Sequence, residues 1–225
     1  PFYPVMGGGE LQSLVDALPP ELISALGYDR IGTPAGYLTS TVFGLLAPSL
    51  LLVFGIGLGA RTIAGEEEEG GLELAASAPV RRDVLLAGRI IAMHTQVFLL
   101  AVTTTVVTAL LVRVVGMDVT LSGIVAAGLG LNLLVNAFAT IALAVGAVTG
   151  RRAIAVAVGA SIAVSSYVAH ALSGVVERGD LLERLSPFSW YLAGDPVAQG
   201  VPIVGYVLLG TLTFVAWAAA LTRFP

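Results

Sequence analysis

The sequence contains no cysteine and no lysine. The first absence removes disulfides, thiolate catalysis and cysteine-bound metals. The second removes the lysine that a Walker phosphate loop places on the β- and γ-phosphates, so this stretch cannot hydrolyse ATP in that way. Histidine is nearly absent too: His94 and His170 are the two, too few for a histidine-rich zinc site. Charge is also sparse. Only 12% of the 225 residues are charged, against roughly a quarter in soluble domains. The formal net charge of −4 comes with no basic block, which argues against nucleic-acid binding.

What remains is apolar. The chain is 56% hydrophobic, with a mean hydropathy of +0.92, and a bilayer is the solvent that fits. Five runs approach the roughly 20 apolar residues needed to cross the hydrocarbon core: 34–60, 90–112, 124–148, 153–172 and 201–221. None contains an acidic residue. Backbone groups in lipid must be satisfied within their own segment, so these runs read as helices. The expected fold class is an all-α, polytopic transmembrane domain. Arginine without lysine, beside abundant Ala, Val and Gly, points to a GC-rich bacterial genome.

Alternating crossings put Arg61, Arg81, Arg82, Arg89, Arg151, Arg152 and Arg223 on one side. Short loops carry most weight in the positive-inside rule, so the Arg151–Arg152 turn marks the expected cytoplasmic face. The chain's end then lies inside and its start outside, and the expectation is one earlier helix, six in the intact unit. Residues 1–33 and 173–200 are expected to be external, with surface helices in PELISALGY and DLLERL. Phe188, Trp190 and Tyr191 suit a headgroup-level position.

The most informative stretch is RTIAGEEEEGGLELAASAPVRRDVLLAGR, residues 61–89. Four glutamates precede a short amphipathic stretch that stops at Pro79, and two arginines open the next helix. Glu66, Glu69 and Glu73 share a face if the segment is helical. This pattern of acids, Gly, Leu-Glu-Leu, Ala-Pro-Val and Arg-Arg resembles the cytoplasmic segment of ABC-2 family exporter permeases. Gly71, Ala75 and Ala76 depart from the usual residues. LSPFSWYLAGDPVAQG, residues 185–200, is similar to the family's external Ser-Pro-Phe, aromatic pair and Gly-Asp-Pro run. The resemblance spans nearly the whole chain from residue 34.

It implies a permease subunit in a bacterial inner membrane, dimerised with a second copy or a paralogue. ATP and Mg would sit on separate ABC ATPase subunits. Residues 61–89 would hold the coupling helix, with Glu66, Glu67, Glu68, Glu69, Glu73, Pro79, Arg81 and Arg82 at the ATPase contact. The family exports varied apolar or amphipathic compounds, including antibiotics, drugs and lipids. By analogy the first and fourth helices line the path, which makes Phe43, Leu51, Phe54 and Tyr167 candidate substrate contacts.

Other polar residues have plainer readings. Asn132 and Asn136 share one helical face; helix–helix hydrogen bonding is favoured over a second role on the substrate path. Gly55, Gly57, Gly59, Gly146 and Gly150 permit close helix packing. His94 lies a turn inside Arg89 and needs a polar partner. Ser161 and His170 are nine residues apart on one apolar run, about 13 Å of rise, beyond the reach of a nucleophile and its base. Two further readings rank lower. An ion-coupled transporter keeps ionisable groups in the membrane, and no carboxylate lies in these runs. A membrane enzyme lacks visible chemistry, which leaves a non-catalytic scaffold as the remaining alternative.

Overall fold

The computed structural model describes residues 31–65, 68, 82–174, 176 and 179–221. Among these, every regular element is helical. Five helices among the described residues are long and apolar enough to cross a membrane. They are α1 (Pro34–Gly65), α2 (Arg82–Val115), α3 (Leu121–Thr149), α4 (Arg152–Ser173) and α8 (Ile203–Leu221). Three short helices, α5 (Gly179–Leu185), α6 (Pro187–Leu192) and α7 (Pro196–Gln199), fill the link between α4 and α8.

Local chemistry sets the helix ends. The Thr33 hydroxyl accepts from the Gly36 N–H at 3.0 Å and Pro34 opens α1, since a first-turn proline gives up only a donor that has no partner anyway. Thr120 caps α3 in the same way. Gly150 ends α3 with φ +61, its N–H returning to the Gly146 carbonyl at 2.8 Å. That left-handed cap suits glycine because it has no Cβ to clash. Gly150 is therefore a turn residue rather than a packing residue. Along α2, the hydroxyls of Thr95, Thr103, Thr104, Thr105 and Thr108 each donate to a carbonyl four residues back. A threonine-rich helix can thus sit in lipid without stranded hydroxyls.

Two helices run further than the apolar runs indicate. α1 continues past Ala60 through π-helical turns at Arg61–Gly65, and α2 begins at Arg82. Hydropathy marks where a helix leaves the hydrocarbon, whereas the backbone ladder can continue into the interface. A second π stretch covers Leu38–Leu46, with the Ala47 N–H bonding Val42 O, five residues back. Pro48 follows and has no N–H to give. In that register the Phe43 carbonyl loses its helical donor, and the Tyr191 hydroxyl supplies one instead at 3.0 Å.

α3 is the central helix. It is 61% buried over its most apolar window, against 22% for α2, α4 and α8. α1 meets it through bare backbone: a Cβ on Gly59 would stand 2.0 Å from the Ala139 carbonyl oxygen, and one on Gly55 would stand 2.6 Å from Val135. Gly57 faces open space, so of Gly55, Gly57 and Gly59 only the pair four residues apart is used for close approach to α3. Gly128 gives α2 the same access through Thr105, and Gly130 admits Tyr206 of α8, whose hydroxyl donates to the Ala126 carbonyl at 2.7 Å.

Replacing Gly59 by valine should cost about 1–3 kcal/mol, because the clash is with backbone that has no rotamer to yield. Gly57→Ala should leave the unfolding temperature in detergent unchanged. Equal losses at both positions would contradict the close α1–α3 approach.

Candidate functional site

Three polar clusters and one apolar groove stand out against this frame. The first cluster lies at the α3–α4 turn. Arg151 precedes α4 and offers no side-chain cap. A Glu68 carboxylate oxygen accepts from the Arg152 N–H at 3.0 Å instead. A carboxylate suits this place because a helix N-terminus carries unsatisfied N–H groups and partial positive charge. Glu68, three residues beyond α1, is therefore tied to the start of α4. Of the residues proposed for the coupling contact, Glu66, Glu67, Glu69, Glu73, Pro79 and Arg81 lie outside the described residues. Arg82 opens α2.

The second cluster lies between α2 and α3. The Asn136 amide donates to Asn132 at both its backbone carbonyl (2.8 Å) and its side-chain oxygen (3.0 Å). Its own oxygen then faces His94 Nδ1 at 2.5 Å. An amide oxygen can only accept, so Nδ1 carries the proton. Both asparagines and His94 are thus spent on one another, which is what a polar group inside a membrane bundle requires.

The third cluster joins α1, α4 and the short helices on the opposite side. Ser186 caps α6, and its hydroxyl donates to the Ser166 carbonyl on α4 at 2.7 Å. His170 Nδ1 meets the Ser189 hydroxyl at 3.0 Å, while Ser161 is exposed elsewhere on α4. Asp195 caps α7 from a left-handed conformation, φ +57, and accepts from the Thr39 hydroxyl of α1 at 2.6 Å. Tyr191 is fully buried, and burial, with Tyr206 adding a smaller push, raises its phenol well above the usual range. It therefore remains a donor to Phe43 O. Tyr191 and Phe188 are buried within the protein, and of the three aromatics only half-buried Trp190, bonding the Arg184 carbonyl at 2.8 Å, sits nearer the surface. The aromatic ring of Phe188 is instead met edge-on by Tyr167, centroids 5.3 Å apart.

The groove, about 340 Å³, runs between α1 and α4. Its walls include Leu45, Val53, Val156, Val164 and Tyr167, with Phe188 among its lining residues. Ser49 turns its hydroxyl onto Leu45 O, which keeps that wall apolar. Of the suggested path residues, Tyr167 lies in the groove. Phe43 and Leu51 are buried in the core, Phe54 is exposed away from the groove, and Asn132 and Asn136 belong to the α2–α3 cluster. Asp195, Ser186 and Tyr191 escaped assignment to particular contacts, and Glu68, assigned to the ATPase contact, bonds within the chain to the Arg152 N–H. The two dipeptides Ser-Pro and Asp-Pro did carry a signal, since each is a capping residue followed by a first-turn proline.

Five apolar helices locked by internal polar contacts define a multi-pass helical membrane protein. A family model described as ABC-2 family transporter protein matches residues 1–222, and the chain belongs to that family. Neither a curated protein nor a solved structure matches it.

Tyr191→Phe should destabilise the protein by about 1–3 kcal/mol, the cost of leaving a buried carbonyl unpaired. The unfolding temperature in detergent is the readout. An unchanged value would mean that the Phe43 carbonyl finds another donor.

Proposed function

We propose that this chain is the permease subunit of an exporter whose ATP and Mg are bound by separate nucleotide-binding subunits. It works as a dimer, with a second copy or a paralogue. Its cargo is an apolar or amphipathic compound, such as an antibiotic, drug or lipid. The side bearing Arg61, Arg89 and the Arg151–Arg152 turn is cytoplasmic by the positive-inside rule, in a bacterial inner membrane, and the C-terminus lies on that side.

The observation that carries this reading is the Glu68–Arg152 bond. It joins the acidic segment at once to the end of α1 and the start of α4, the two helices that wall the apolar groove. A displacement imposed on that segment by a partner is thereby delivered to both walls. Residues Glu66 to Glu69, Glu73, Pro79, Arg81 and Arg82 form the contact surface, where charge complementarity sets register and speeds encounter. ATP binding on the partner can shift the permease between states only through contacts that differ between them, and the segment between α1 and α2 is where those contacts would change. Tyr167 and the groove walls are the substrate contacts of this reading. Phe43, Leu51, Phe54, Asn132 and Asn136 remain candidates for it only if α1 or α3 turns during the cycle.

Replacing Glu66–Glu69 together with alanine should abolish co-purification with the ATPase, or its stimulation, while leaving membrane insertion intact. Undiminished association and stimulation would refute the coupling assignment. Ala160→Trp, which fills the groove, should reduce export at least severalfold with ATPase association retained. A cysteine placed at Gly71 in this cysteine-free chain should react with a cytoplasmic label, and reaction from outside would overturn the orientation.

A further inference from the structure

A second cleft, about 430 Å³, lies between the π-helical end of α1 and the first membrane turns of α2. Arg61, Thr62, Arg89, Ala92 and Gln96 line it, over the buried Met93. Three observations about it belong together. Arg61 is exposed and has no partner among the described residues, whereas Arg89 already has one within the chain. Thr62 is spent on the Leu58 carbonyl. Gln96 lies within the span Ala87–Val115, is exposed, and makes no hydrogen bond among the described residues. An unpaired amide facing hydrocarbon is costly, and a polar group of a bound molecule would relieve that cost.

The face that Gln96 shares shows what that is. Arg89, Ala92, Gln96 and Leu99 descend α2 at spacings of three and four residues, and Ala92, Gln96 and Leu99 are exposed. Below them Val102, Val106 and Leu110 continue as exposed apolar side chains. The order from the interface inward is cation, small residue, amide, then hydrocarbon. Gln96 lies about 10 Å deeper than Arg89 along the helix. A glycerophospholipid has the same sequence of chemistries: phosphate, glycerol, ester carbonyls, acyl chain. Guanidinium groups bind phosphate oxygens through charge-assisted hydrogen bonds, and an amide N–H₂ can donate to an ester carbonyl.

We propose that this cleft is a binding site for one anionic phospholipid of the leaflet on the Arg151–Arg152 side. Arg61 holds its phosphate, with the charge of Arg89 nearby, Gln96 holds an ester carbonyl, and an acyl chain lies along Leu99 to Leu110. The lipid is a resident of the α1–α2 cleft, away from the α1–α4 groove. The inference requires only that these helices span a bilayer and does not depend on the exporter reading.

Native mass spectrometry of the full chain, purified with whatever subunits accompany it, tests this with phosphatidylglycerol, phosphatidylcholine and inorganic phosphate as probes. Phosphatidylglycerol should be retained in preference to phosphatidylcholine, and millimolar phosphate should not displace it. Arg61→Gln should weaken retention about fivefold, the worth of one basic residue at an anionic surface, and Arg61→Lys should weaken it less. Gln96→Leu should erase any preference for ester-linked over ether-linked phosphatidylglycerol. This substitution suits a lipid-facing position, so it carries the test even if Arg61→Gln fails to assemble. Equal retention of the two headgroups, or no change in either variant, overturns the proposal. Displacement by phosphate overturns the lipid and assigns the cleft to a free anion. Disulfide cross-linking of Gln96→Cys between two copies also overturns it, because protein would then fill the cleft.

Discussion

In hydrocarbon, a backbone carbonyl that loses its helical donor has no water to turn to. Pro48 creates that situation within α1, and the structure answers it with the Tyr191 hydroxyl. The consequence reaches beyond one bond. Tyr191 belongs to α6, so the repair pins the short helices between α4 and α8 onto the first third of α1. Asp195 reinforces the same junction through Thr39, and Ser186 extends it to α4 through Ser166. A local defect in one helix has become the fastening point for a whole side of the domain.

The opposite end is held differently. There, among the described residues, an exposed carboxylate, Glu68, accepts from the first N–H of α4, while Ile63 and Ala64 of α1 are buried against the neighbouring helices. An exposed charge at a helix N-terminus is worth about 0.3–1 kcal/mol, so this one bond is easier to break than the buried tyrosine and serine contacts. α1 is thus tied by buried polar contacts near its start and by an exposed carboxylate just beyond its other end, with its backbone pressed on α3 at Gly55 and Gly59 between them.

Much of this was readable in advance. Hydropathy located all five spans because burying backbone in lipid demands long apolar helices. The Arg61 to Arg89 segment carried the family pattern, and His94 was rightly expected to need a polar partner. Two kinds of feature were harder to see. Composition could not say which of Gly55, Gly57 and Gly59 face a neighbour, because a glycine looks the same on either face of a helix. Nor could it tell that Tyr191 and Phe188 are core residues, because an aromatic pair beside a membrane fits the interface as well as the interior.

The amino-acid order by itself determined the solvent, the number of described spans and the family, since each rests on properties summed along a contiguous stretch. Tertiary structure alone decided which polar groups are partners. Glu68 with Arg152, Tyr191 with Phe43 and Asp195 with Thr39 are separated by 84, 148 and 156 residues. Such pairings depend on where helices cross, and crossing points are set by side-chain packing in three dimensions, which no local pattern records.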